Sequence, residues 1–127
     1  MSLLLALLLV VHGGVHISYV CGPAWPFVAT DPWVVSSLGA GSDSVRTVGI
    51  ALAVVTFIAF LLAALTAAGI VLPSSFWAPL IVVGSIASAI VLVIFVTPWT
   101  LPFLAIDVLL LWTTLVQSWH PTPFFGS

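Results

Sequence analysis

The sequence predicts an all-α fold, an integral membrane four-helix bundle with a short interfacial helix in its first loop. Three observations predict it. The chain is 63% hydrophobic and 3% charged, where a soluble domain is about a quarter charged. Residues 47–106 hold no Asp, Glu, Lys or Arg at all. The 127 residues divide at prolines and glycines into four apolar runs, each close to or above the ~20 residues that a spanning helix needs. The same numbers narrow the function. No long polar stretch exists to form a soluble catalytic domain, and a single Lys or Arg in the whole chain gives no basic surface for nucleic acid. One cysteine, Cys21, excludes an internal disulfide and a multi-cysteine metal cluster.

The first span is expected over residues 2–20, Leu-rich and then changing character at His12-Gly13-Gly14-Val15-His16 before Cys21-Gly22-Pro23 ends it. It lacks a basic stretch at its start and a small-x-small cleavage site at its end, so it reads as a retained span rather than a signal peptide. The loop 21–43 contains Pro23, Pro26 and Pro32 with Trp25, Phe27 and Trp33. Asp31 followed by Pro32 reads as an N-cap with proline at the first helical position, which predicts a short helix over 32–38 lying in the membrane interface. The second span is expected over 44–72, capped by Asp43 or Ser44 and stopped by Pro73. The third is expected over 75–96, capped by Ser74 or Ser75, with Pro79 in its first turns and Pro98 beyond its end. The fourth is expected over 99–119, with Pro102 near its start and Pro121 and Pro123 after it. Trp77, Trp99, Trp112 and Trp119 fall near span ends, as an aromatic belt at the headgroups would place them. Four spans put both termini on one side of the membrane. Arg46, the one basic residue, is a single vote for the long loop in the cytoplasm under the positive-inside rule, and one vote leaves the orientation open. The two halves share no similarity that would mark an inverted-repeat transporter.

Ionisable groups in hydrocarbon need a partner or a purpose. At 1.5 Å rise per residue, His12 lies ~12 Å below the loop side, Asp107 and Ser88 ~12 Å, Thr56 ~15 Å and His16 ~6 Å. Four spans therefore put a polar side chain in one layer, while His120 lies at the opposite face. The layer predicts a His12–Asp107 interaction assisted by Ser88 or Thr56, in which the carboxylate fixes the imidazole tautomer and leaves the other nitrogen free to take a proton, a metal, a porphyrin or a quinone carbonyl. The alternative is a structural polar contact between helices, worth about 0.6 kcal/mol on average and up to roughly 2. His12 and His16, four apart, share a helix face; His16 otherwise meets water or the loop. Haem, a chlorophyll-type pigment or quinone are the cofactors this set would suit. A metal finds no third ligand except Asp107, and no metal site is expected.

Thr100, Asp107 and Thr114 recur at heptad spacing, with Ser118 one turn on, and read as the inward face of the fourth span or the lining of a hydrated path. Gly49, Ala53, Thr56, Ala63 and Ala67 form a small-residue seam on the second span, and Gly84-x-x-x-Ser88 with Ser85-x-x-x-Ala89 forms one on the third. Such seams let helix backbones approach closely. Asp31 and Asp43 read as caps and Cys21 as inert. No catalytic set, phosphate loop or zinc motif is present.

The pattern His12-Gly-x-x-His16, tryptophans in the first loop, Arg46 opening the second span, Gly69 near its end and Trp77 opening the third resembles a loose family of small four-helix bacterial and archaeal membrane proteins. The resemblance implies four spans and marks His12 and His16; it implies no activity. The expected role is a non-enzymatic accessory subunit, packed among other integral membrane subunits of a respiratory or photosynthetic complex or in a homo-oligomer, in a bacterial plasma membrane. The rival roles are a cofactor protein built on His12, His16 and Asp107, and a small transporter or proton channel.

Overall fold

The computed structural model describes residues 2–21, 39, 41–70, 72–95 and 100–121. Among them are four α-helices: α1 (Ser2–Cys21), α2 (Ser42–Ala68), α3 (Trp77–Ile94) and α4 (Thr100–Leu111). A single 3-10 turn, Ser74–Phe76, leads into α3, and α4 continues into a wider π turn, Trp112–Val116. No strand occurs among the described residues. The segments Ser44–Ala68 and Ser74–Ile94 are long and apolar enough to cross a membrane; α1 and α4 are apolar too. The expected helix over 32–38, with Asp31, Trp25 and Trp33, lies outside the described residues.

The helix ends correct the sequence reading at several points. α2 has its N-cap position at Gly41, ahead of the Asp43 and Ser44 that the sequence offers as caps. It stops at Ala68, well before Pro73, because Gly69 turns left-handed (φ 77°). The amides of Gly69 and Ile70 then donate to the carbonyls of Thr66 and Leu65 at 3.0 and 2.9 Å, which satisfies main-chain oxygens that the helix end would leave bare. Ser74 and Ser75 belong to the 3-10 turn, and the N-cap position of α3 is Phe76. The fourth helix ends its regular course at Leu111, and the helical chain ends at Val116 rather than near residue 119. There the Thr113 hydroxyl donates to the carbonyls of Leu109 and Leu110, and the Gln117 amide reaches back to the Trp112 carbonyl, one residue further than an α-helix allows. Pro79 and Pro102 sit within the first three residues of α3 and α4, where a missing N–H breaks no helical hydrogen bond.

Packing follows chain order: α1 lies along α2, α2 along α3 and α3 along α4. The small-residue seam makes this possible. Gly49, Ala53, Thr56, Ala63 and Ala67 are all buried, as are Gly84, Ser85 and Ser88. Two apolar clusters form the interior. One gathers Ala6, Leu9, Phe60, Ala63, Trp77, Ile81 and Leu110; the other gathers Val45, Ala53, Val91, Leu92 and Phe95. Each helix carries its polar residue in the interval between the two: His12 on α1, Thr56 on α2, Ser88 on α3 and Asp107 on α4. The polar layer is thus closed above and below by hydrocarbon. The outward faces are apolar as well, with Leu4, Leu7 and Val11 on α1, Val48, Val55 and Ile58 on α2, Val83, Ile86 and Ile90 on α3, and Leu101, Val108 and Leu109 on α4 exposed.

The tryptophans divide. Trp112 and Trp119 are exposed, but Trp77 is 1% exposed and does not stand in an outward aromatic belt. It packs edge-on against Trp119 at 5.9 Å between ring centroids, because the start of α3 is drawn inward where the chain after α4 folds back onto it.

Candidate functional site

Three helices place four polar side chains in contact. His12 Nε2–H donates to Asp107 Oδ1 at 3.0 Å and passes Ser88 Oγ at 3.3 Å. Ser88 Oγ donates to Asp107 Oδ2 and lies 2.6 Å from His16 Nε2. His16 Nδ1–H donates to the main-chain oxygen of His12, one turn earlier on the same helix, at 2.8 Å. All four side chains are sealed: none exceeds 1% exposure.

The serine hydroxyl is the node. It touches both imidazoles and the carboxyl, so α3 joins α1 to α4 through one oxygen. His12 holds its ring between Phe60 and Phe103, each edge-on at 5.1 Å, with His16 at 5.0 Å. These rings fix the imidazole in place, and they are a part of the site that residue spacing alone did not mark: a phenylalanine in an apolar run carries no signal of what it faces.

The expected residues are not all brought together. His12, His16, Ser88 and Asp107 meet. Thr56 is fully buried in the same layer, but its hydroxyl donates to the Leu52 carbonyl at 2.8 Å within α2. A helical threonine can satisfy itself on the carbonyl four residues back, so it has no need to reach across. Thr56→Val is accordingly expected to change stability by less than about 1 kcal/mol and to leave the His12–Asp107 contact intact, read as an unchanged unfolding midpoint and unchanged histidine NMR signals. Thr100 is buried and its hydroxyl points to the Leu92 carbonyl at 3.4 Å, linking α4 to α3 outside the cluster. Thr114 is buried, whereas Ser118 is exposed and left-handed at φ 51°, so the polar stripe of the fourth helix turns inward only as far as Thr114. Gly84 and Ser85 are buried in the α2–α3 seam. His120 is exposed and apart from the cluster.

His16 belongs to the cluster instead of meeting water or a loop. Its Cα is one turn nearer the end of α1 than that of His12, but helical side chains lean toward the N-terminus. The imidazole therefore reaches back to the level of Ser88.

The donor set bears on what the site can hold. The nitrogens and carboxyl oxygen of His12, His16 and Asp107 lie within 4.8 Å of one another, close enough to share a cation, but Ser88 Oγ already stands within hydrogen-bonding distance of all three groups. A porphyrin or pigment needs a ring nitrogen facing a space of its own size. Both Nε2 atoms face Ser88 or Asp107 instead, and His12 Nδ1 is buried with no hydrogen-bond partner among the described residues. Compared with known protein families, curated proteins and solved structures, the chain matches none.

Proposed function

We propose that this chain is a multi-pass membrane protein that acts without catalysing a reaction, as a small packing subunit among other integral membrane chains. The single observation that carries this reading is the contrast between inside and outside. Every member of the His12–His16–Ser88–Asp107 cluster is turned onto another member and sealed from the surface. The outer faces of α1 to α4 offer apolar side chains in their place. A molecule approaching the flanks of these helices meets mostly hydrocarbon, and hydrocarbon recognises lipid tails or other apolar helices. Charged residues inside a membrane are costly enough to be kept only with partners, and the cluster supplies those partners internally. Four spans, and a resemblance to small four-helix membrane proteins, are part of the same reading.

Extraction of native membranes into polymer-bounded lipid discs tests it. The expected result is a particle in which this chain is held at fixed stoichiometry with other membrane chains, and which loses them when bulky polar residues replace Val83 and Ile90 on the outer face of α3. A stable, monodisperse monomer from native membranes would sink the proposal. A second reading is favoured by one observation, the self-contained hydrogen-bond chain across three helices: a role in handling protons.

A further inference from the structure

We propose that Asp107, Ser88 and His16 form a buried proton relay, in which one hydrogen moves between the carboxyl group on α4 and the imidazole on α1 through the hydroxyl on α3. The proposal goes beyond a packing role and rests on the count of hydrogens in the cluster.

The count starts from a fixed point. His16 Nδ1 faces a main-chain carbonyl oxygen at 2.8 Å; a carbonyl only accepts, so Nδ1 carries a hydrogen. With zero net charge on the cluster and a hydrogen on His12 Nε2, two arrangements satisfy the remaining contacts. In the first, Ser88 donates to Asp107 Oδ2. Its oxygen must then accept from His16 Nε2, which therefore carries a second hydrogen: His16 is an imidazolium and Asp107 a carboxylate. In the second, His16 is neutral and its Nε2 accepts. Ser88 has one hydrogen and gives it to His16, so the contact between Ser88 Oγ and Asp107 Oδ2 holds only if the carboxyl group is protonated and donates. His12 is unchanged in both: its Nε2–H donates to Asp107 Oδ1. The two arrangements contain the same number of hydrogens and the same net charge, zero.

They interconvert by a double transfer. The Asp107 Oδ2–H bond breaks as a new O–H bond forms at Ser88 Oγ, while the original Ser88 O–H bond breaks as an N–H bond forms at His16 Nε2. A carboxylic acid and a neutral imidazole become a carboxylate and an imidazolium. No proton enters or leaves the cluster and no electron pair changes owner between residues other than by these bonds. The geometry already has the donors and acceptors in contact, with Ser88 Oγ 2.6 Å from His16 Nε2, so no atom has to travel. Apolar surroundings make the choice consequential: separated charge is poorly solvated there, and net neutrality keeps both forms accessible.

Among the described residues, Phe60 on α2 and Phe103 on α4 border His12 and carry no titratable group. Arg46 and His120 are exposed. His12 is a positioning residue: it holds Oδ1 of Asp107 so that Oδ2 faces Ser88. Its Nδ1 is buried and has no hydrogen-bond partner among the described residues.

Solid-state NMR of the full chain in phospholipid vesicles tests the relay. The chain has three Asp and three His, so 13C-Asp and 15N-His labels give few signals, assigned with Asp107→Asn and His120→Gln. The expected result is that the protonated fraction of Asp107 equals the fraction of His16 lacking a hydrogen on Nε2, and that the two fractions shift together as temperature changes. Ser88→Thr keeps a hydroxyl and should keep that equality. Ser88→Ala removes the link, and the two fractions should then no longer match. A fully ionised Asp107 beside a neutral His16, fractions that move independently in the unaltered chain, or an equality that survives Ser88→Ala would each overturn the proposal. The unaltered chain and the threonine variant decide it even if the alanine variant does not fold.

Discussion

Asp107→Leu is expected to lower stability by about 3 kcal/mol, because it strips two buried donors of their acceptor at ~1–3 kcal/mol each. The donors are His12 Nε2–H and the Ser88 hydroxyl. Single interhelical hydrogen bonds in lipid average only about 0.6 kcal/mol, since a membrane-embedded unfolded chain finds other partners. Asp107 exceeds that average because its two oxygens hold two different helices and because no water is available to replace either contact: the residue is 0% exposed. Asp107→Asn keeps one acceptor and should cost roughly half as much, about 1–2 kcal/mol. The decisive comparison is the double variant His12→Phe with Asp107→Leu. Removing both partners of a buried polar contact is often close to neutral when the replacements fill the space, so the double variant should be more stable than Asp107→Leu alone. Unfolding by steric trapping in bicelles measures all three. A loss below about 1 kcal/mol for Asp107→Leu, or costs that simply add in the double variant, would show that the cluster does not hold the helices together.

That coupling was partly legible in the chain. The positions of the helices follow from apolar runs punctuated by proline and glycine, and the level of each polar residue follows from a constant rise per residue. This arithmetic put His12, Ser88 and Asp107 at one depth, and the structure joins them. Depth does not give rotation about the helix axis or the reach of a side chain. Thr56 sits in the right layer and bonds its own helix; His16 sits a turn away and leans into the cluster. Helix ends were legible only to within a turn, because proline forbids a helix while glycine merely permits an exit. Gly69 takes that exit before Pro73 is reached. Trp77 has the composition of an interfacial anchor, but a partner ring on Trp119 gives it a buried place instead. Such pairings depend on where two distant segments cross, which single-residue preferences do not encode.

Glycine makes the same point in energetic form, and here substitution should have its other large effect. A methyl group at Gly84 would lie 2.7 Å from Phe60 Cε1, 2.8 Å from its Cδ1 and 3.3 Å from Ala59 Cβ. Phe60 cannot yield easily: it is 0% exposed and its ring rests edge-on against His12. Overpacking of this kind costs typically about 1–3 kcal/mol, and Gly84→Ala should lie near the top of that range, with Gly84→Val beyond it. The displacement is directed at His12, so loss of stability should be accompanied by altered histidine NMR signals. Phe60→Leu, which removes the clashing ring atoms, should recover part of the loss in Gly84→Ala while costing stability in the unaltered chain; contacting residues depart from additivity in this way. Two neighbouring glycines on α1 calibrate the result. At Gly13 a methyl group would stand 3.2 Å from the main-chain Cα of Phe57, so α2 itself must shift by a few tenths of an ångström and a moderate loss is expected. At Gly14 nothing lies within 4 Å, and alanine should be neutral or favourable, gaining up to about 1 kcal/mol from its better helix propensity. Unfolding midpoints for the three alanine variants should therefore rank Gly84 as the most damaging and Gly14 as the least. Equal effects at the three positions would mean that helix propensity, rather than contact with Phe60 and Phe57, governs them, and that α3 does not press on α2 beside His12.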